Sequence, residues 1–301
     1  MEEARQQPLP VEHRDKFIRA VVGVFLRSAF FPWCHLTRET RKTTSALHQQ
    51  SLYRLNLEGL DDIANCDVFF ANHQGPSGEG TKQGGLEVLF GTQFVPDKTR
   101  YVLRETLIHY RWPPKQCIKA HAMRRPQPIA VREQDRVQKL RGCGSWQAIK
   151  QAAVSLKKER QRVAQEIFRV IDRGRPVMIY PEGTRSASGT ILPFVSDFMR
   201  HTITDYILPR MRRGQPRHIG LIVGETLRAF PDGIGRMSRM CDRPITMRGL
   251  LYDTRAIEAE CGQLDQLRDR AYEVELTRLA RVLAWDMRAS FARELRDILG
   301  S

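Results

Sequence analysis

Apolar positions along the chain alternate between two spacings, and the switches mark out strands and helices in turn. Short unbroken apolar runs predict buried strands at Asp67-Val-Phe-Phe-Ala71, Tyr101-Val-Leu103, Pro128-Ile-Ala-Val-Arg132, Val177 to Tyr180 and His218-Ile-Gly-Leu-Ile-Val223. Elsewhere the spacing becomes three and four. It predicts a short helix over Leu86–Phe94, a long one from Ser145 to Asp172, a helical stretch near 196–208 and a closing helix from Asp265 to Leu299. The long helix is expected to bury Val154, Leu156, Val163, Ile167, Val170 and Ile171. The closing helix lines up Leu276, Leu279, Leu283, Met287, Phe291, Leu295 and Ile298 as an amphipathic face. Gly174 stops the long helix and Pro176 opens the next strand. Strands alternating with helices imply an α/β fold: a mixed, mostly parallel central sheet flanked by helices, with ligand groups at its strand ends.

The two ends of the chain differ from this middle. A polar lead-in with Pro8 and Pro10 precedes a helical pattern from Asp15 to Trp33. Lys16, Arg19 and Arg27 share one narrow face there, beside a wide apolar face containing Phe17, Val21, Phe25 and Phe30. This pattern suits an interfacial helix on anionic lipid, and it suits equally a helix packed on its own domain. The expected division is an N-terminal lead-in and membrane-associating helix (1–50), an α/β domain (51–255) and a C-terminal helical extension (256–301). The start, Met-Glu-Glu-Ala-Arg, is mixed in charge and lacks the pattern of a cleaved leader. No run of about 18 uncharged apolar residues predicts a spanning helix. The expected location is therefore cytoplasmic and peripheral, on an inner membrane face.

Composition bounds the partners. With 41% hydrophobic and 28% charged residues the 301-residue chain is ordinary for a folded protein. Its net charge of +15 suits phospholipid head groups, coenzyme A, acidic carrier proteins or nucleic acid. The excess is carried by 39 arginines against 10 lysines. Scattered arginines without a recognition motif argue against nucleic acid as the partner. Six cysteines (34, 66, 117, 143, 241, 261) contain no Cys-x-x-Cys pair, so neither a zinc ribbon nor a disulfide scaffold is indicated. No motif calls for a metal or a cofactor.

Three of the predicted strands end on polar groups: Asn72-His73, Arg132, and the turn Pro181-Glu-Gly-Thr-Arg-Ser186. Imidazole is the side chain that takes up and returns a proton near neutrality, so a histidine directly after a buried strand is placed for acid–base work. The planar guanidinium of an arginine makes paired hydrogen bonds to phosphate or carboxylate. Glu182 and Arg185 in one short turn also fit a purely structural ion pair. There is no Gly-x-Ser-x-Gly, His-Glu-x-x-His or Gly-x-Gly-x-x-Gly, and the glycine-rich stretch Gly75–Gly85 lacks the Gly-Lys-Ser/Thr of a phosphate loop.

Asn72-His73 followed about a hundred residues later by Tyr180-Pro-Glu-Gly-Thr-Arg-Ser186 resembles the glycerolipid acyltransferase family, which includes lysophosphatidate and glycerol-3-phosphate acyltransferases. Pro128-Ile-Ala-Val-Arg132 resembles the family block that ends in a phosphate-contacting arginine, and His218–Val223 resembles the later apolar strand without its usual proline. The resemblance covers roughly residues 50–225. It implies that His73 is the general base that deprotonates an acceptor hydroxyl attacking an acyl thioester. It implies that Arg132 and Arg185 hold the acceptor's phosphate, with Asn72, Glu182, Gly183 and Thr184 completing the substrate site. The implied donor is acyl-CoA or acyl-carrier protein, the implied acceptor a phosphorylated glycerol or lysolipid, and no cofactor is involved. One position departs from the pattern. The family's aspartate five residues after the histidine is Gly78 here. Glu79, one residue further on, and Glu87, which opens the predicted helix after the glycine-rich stretch, are the two candidate replacements. A chain without either would keep the fold and bind anionic lipid or an acyl carrier without turnover.

Overall fold

The computed structural model describes residues 55–74, 94–96, 99–104, 129–131, 145–183, 186, 188–225 and 245–300. Seven strands form one sheet: β1 (Leu55–Glu58), β2 (Val68–Ala71), β3 (Arg100–Arg104), β4 (Ile129–Val131), β5 (Val177–Ile179), β6 (Ile219–Gly224) and β7 (Ile245–Tyr252), in the order β1-β7-β6-β2-β5-β3-β4. The pairs β2/β5, β2/β6, β3/β5 and β3/β4 are parallel. β7 runs antiparallel to β6 and parallel to β1. The sheet is mixed and mostly parallel, as the alternation of strands and helices implies.

Strand β2 lies between β5 and β6 and is buried along its whole length, which is why its sequence reads as an unbroken apolar run rather than an alternation. Val68 and Phe70 look to one face, where the main core gathers Ile167, Ile171, Met199, Ile203, Leu221, Leu279, Leu283 and Phe291. On the neighbouring positions Phe69, Met178, Ile222 and Ile245 are equally inaccessible. Asp67, at the entry to β2, is fixed by Arg210 at 2.8 Å and by the Tyr206 hydroxyl at 3.2 Å, with the Arg210 guanidinium 4.6 Å from the Tyr206 ring centre. Burial, then the Asp67 charge, pushes the Tyr206 phenol well above its usual range.

The helices on the main core are α1 (Trp146–Asp172), α2 (Ser196–His201), α3 (Leu208–Arg212), α4 (Arg255–Cys261) and α5 (Asp269–Gly300). A π-helical turn, Thr202–Ile207, joins α2 to α3, so the stretch expected near 196–208 is one continuous helical rod with a wide turn in its middle. All seven apolar positions expected on α5 are buried. In α1, Val163, Ile167, Val170 and Ile171 are buried as expected, but Val154 is 51% exposed. The reason is length. At 27 residues α1 is about 40 Å long, whereas the strands beneath it have three to six residues and span about 10–20 Å.

Two strands lack a visible signal in the sequence. β1 is four residues long, and β7 carries Arg248 and Gly249 in its middle. Gly249 is required by contact: a Cβ there would come within 2.7 Å of the Gly59 carbonyl oxygen and of Ile63 Cδ1. The interfacial helix expected over 15–33, the glycine-rich stretch and the expected helix at 86–94, apart from Phe94 itself, lie outside the described residues.

Candidate active site

β2, β5 and β6 point the same way, and their C-terminal ends bring Asn72-His73, Tyr180-Pro-Glu-Gly183 and Gly224-Glu225 together. In open α/β sheets this rim is where ligands bind. The first bond across it is made by Asn72, which is 2% exposed. Its Oδ1 accepts from the Gly224 N–H at 2.8 Å and its Nδ2 donates to the Gly224 carbonyl at 2.9 Å. The side-chain amide thereby extends the β2/β6 ladder past the last strand residue. Asn72 was expected to bind substrate; its side chain is instead committed to the backbone of Gly224, and its role is to fix where His73 leaves the sheet.

Glu182 makes the second tie. Its side chain is buried, and Oε1 accepts the His73 backbone N–H at 2.8 Å while Oε2 accepts the Leu192 N–H at 2.6 Å. The Ser186 N–H donates to the His73 carbonyl at 2.8 Å, and Gln74 pairs with Ser186 as a parallel bridge. Gln74 Nε2 also donates to the Gly189 carbonyl at 3.2 Å. The turn after β5 is thus sewn to the backbone of the strand end that carries His73. Two buried backbone donors bound by one carboxylate are worth several times a neutral hydrogen bond, because charge-assisted bonds are about twice as strong. Glu182 therefore holds the histidine's backbone, a role that the expectation of an ion pair with Arg185 or a place in the substrate site did not include.

The imidazole itself is half-buried and lies against Tyr180, with ring centres 4.6 Å apart and planes inclined by 34°. An aromatic face beside the imidazole excludes water from one side of the ring. Tyr180 was legible only as the last residue of its strand. Glu225, one residue past the end of β6, places a second buried carboxylate on this rim, and nothing in its sequence context marks it.

Gly183 has φ +67°, and its N–H closes a turn on the Tyr180 carbonyl at 3.0 Å. A Cβ there would also press on Val195 Cγ2 at 3.3 Å. Glycine is the residue that turns the chain at this point without strain. Beyond it the turn is braced from below. The Val195 N–H donates to the Pro181 carbonyl at 2.9 Å, Arg288 Nε on α5 donates to the Ile191 carbonyl at 3.1 Å, and Phe194 meets Phe291 of α5 edge-on at 5.7 Å. Of the expected site residues, His73, Asn72, Glu182 and Gly183 are brought together at this rim. Glu79, Glu87, Arg132, Thr184 and Arg185 lie outside the described residues, although Arg132 directly follows β4 and Thr184–Arg185 fall between Gly183 and Ser186. Among the described residues no group of histidine, cysteine and carboxylate side chains is arranged to hold a metal ion.

Residues 117–211 match the family model "Acyltransferase". No curated protein matches the chain in sequence. Among solved structures, the crystal structure of the 1-acyl-sn-glycerophosphate (LPA) acyltransferase PlsC from Thermotoga maritima aligns over 97% of this chain and 95% of its own, with a TM-score of 0.51 and 14% identity. At that identity the likeness establishes the fold, and the family-model match spans the turn that binds the backbone of His73. Residues 117–211 are thus similar to the acyltransferase family, and the chain shares its fold with the lysophosphatidate acyltransferase PlsC.

Proposed function

We propose that the chain transfers a fatty acyl group from a thioester carrier, acyl-CoA or acyl-carrier protein, to a hydroxyl of a glycerol phosphate or lysophospholipid. The observation that carries this reading is the direct joining of His73 to the Pro-Glu-Gly-Thr-Arg-Ser turn through Glu182 and Ser186. A base tied to the turn that carries a phosphate-binding arginine would hold an acceptor's hydroxyl and phosphate at a fixed separation, which is how positioning lowers a barrier.

In this mechanism His73 takes the proton from the acceptor hydroxyl as its oxygen attacks the thioester carbonyl. The tetrahedral adduct collapses by breaking the carbon–sulfur bond, and the imidazolium returns its proton to the departing thiolate. Ester and thiol are the products. A carboxylate from Glu79 or Glu87 holds the other imidazole nitrogen and stabilises the charged ring. Arg132 and Arg185 hold the phosphate, with Thr184 and the Gly183 backbone beside them. The protein works at an inner membrane surface, where a lysolipid acceptor resides.

The test is transfer of labelled acyl groups from both donors to glycerol 3-phosphate and to lysophosphatidate. The expected result is transfer by the native chain and a loss of about 10²–10⁴ in His73→Ala. Equal background rates in both, with every acceptor and donor, would overturn the reading.

A further inference from the structure

Among the described side chains of α1, only those of its second half belong to the core. Val163, Ala164, Ile167, Phe168, Val170 and Ile171 are buried, whereas no described side chain from Trp146 to Arg162 is. Trp146 is 77% exposed, Ile149 48% and Val154 51%. Helical register makes this informative. Five turns of α-helix are about 18 residues, so Trp146, Ile149 and Ala153 stand on the same line of the helix as Ala164, Ile167 and Ile171. The stripe that packs on the sheet continues past it, and its described apolar side chains there are exposed.

Topology says which way it continues. α1 ends at Asp172, Gly174 and Pro176 turn the chain, and β5 then runs to Tyr180 and Glu182. The helix therefore runs against β5, and its first half projects beyond the rim that holds His73. Charge says what it meets. Residues 146–158 contain Lys150, Lys157 and Lys158 and no carboxylate. None of the ion pairs between described residues uses these lysines. In the second half the pattern reverses, with Glu159–Arg162 and Glu166–Arg169 pairs along the helix. Three cations with no carboxylate beside them give this stretch a positive charge that an anionic surface complements.

We propose that the first half of α1, Trp146 to Lys158, lies in the interface of an anionic phospholipid membrane, with Trp146 and Ile149 among the head groups and the three lysines on lipid phosphates. Tryptophan and lysine are the residues that interfaces accept most readily, one for its amphipathic ring and the other for its long stem. The placement turns the His73 rim toward the membrane. It depends on the acyl-transfer reading only for that purpose, since the membrane contact is measured separately.

The test keeps Trp146 as the sole tryptophan by replacing Trp33, Trp112 and Trp285 with Phe in the full chain. The protein is mixed with vesicles of phosphatidylcholine, alone or with phosphatidylglycerol, carrying brominated acyl chains. The expected result is a blue shift and bromine quenching of Trp146 on the anionic vesicles. Lys150→Gln with Lys157→Gln lowers affinity for them by about 25-fold. Should the triple replacement not fold, the same signal is read as the difference between the native chain and Trp146→Phe. Bound protein whose Trp146 is neither shifted nor quenched overturns the proposal, because another surface then makes the contact. A Trp146 already shifted without vesicles overturns it too, because another part of the chain then covers the stripe. Trp146→Ser is expected to lower transfer to lysophosphatidate in vesicles and to leave transfer to soluble glycerol 3-phosphate unchanged. A native chain that transfers to neither acceptor removes the acyl-transfer reading and leaves the quenching result to decide this one.

Discussion

Glu182 illustrates how a residue recognised by motif acquires its role only in three dimensions. Its carboxylate joins the backbone of His73 to that of Leu192, across 109 residues in one direction and 10 in the other. Glu182→Ala leaves two backbone N–H groups without an acceptor, and each such loss costs about 1–3 kcal/mol. Urea unfolding is therefore expected to show a loss of roughly 2–5 kcal/mol, with kcat reduced alongside. Glu182→Gln is expected to fall between the two, since a carboxamide accepts one of those bonds and turns its NH₂ toward the other donor. Equal stability of Glu182→Ala and the native chain would show that the clip contributes nothing. The histidine, the glutamate and the glycine were legible in the sequence because each sits directly after an apolar run or in a recognisable turn. The bond partners were not. Asn72 reaches Gly224 across 152 residues, and a side chain that pairs with backbone across strands leaves no periodicity to read.

At the level of elements, periodicity revealed the long helices and left β1 and β7 unseen. Helical amphipathicity repeats over many turns and accumulates signal, as the seven buried positions of α5 show. A four-residue strand gives almost none, and β7 hides its strand character behind Arg248 and Gly249. Arg248 is there for architecture: it joins Glu58 of β1 at 2.7 Å and Glu294 of α5 at 2.7 Å. α5 in turn braces the site turn through Arg288 and Phe291. Phe291→Ala is expected to cost about 3–5 kcal/mol, the usual range for emptying a fully buried aromatic site. Arg288→Ala loses one exposed-end hydrogen bond, about 1 kcal/mol, yet is expected to lower kcat several-fold by loosening Ile191 next to the Leu192 anchor. Unchanged kcat in Arg288→Ala, with stability measured in parallel, would show that the brace is only structural.

Across the whole molecule, arginine supplies the cation in nearly all the ion pairs between described residues, the exception being His201–Asp205. Arginine keeps its charge at every working pH, so the carboxylate end decides how these pairs respond to acid. Hydrogen bonds from Arg248, Arg212 and Arg278 hold Glu58, Asp265 and Glu275 below their ordinary range. Arg255 brings Asp253 down to about 2. At Asp205, burial pushes upward, but hydrogen bonds from His201 and Thr204 outweigh it and the net shift is downward. A carboxylate depressed on folding stabilises the native state above its unfolded value and loses that contribution as pH falls through the folded one. Stability is therefore expected to hold above about pH 5 and to decline below about pH 4. Scanning calorimetry against pH checks this, and a decline already complete between about pH 7 and 5 would point to other groups. The net charge of +15 sharpens the acid limb, because each neutralised carboxylate adds to self-repulsion.

The pairing of β1 with β7, in register from Leu55 opposite Ile245, has a consequence in time. During synthesis at roughly 5–20 residues per second, β1 leaves the ribosome on the order of 10–40 s before its partner exists. Through that interval the nascent chain carries a strand with two open edges, the condition under which chains pair with one another. Its brevity and its Glu58, whose arginine partner is among the last residues of the sheet to be made, keep that waiting edge short and charged. The side of the sheet that looks least informative in sequence is thus the one built to be completed last.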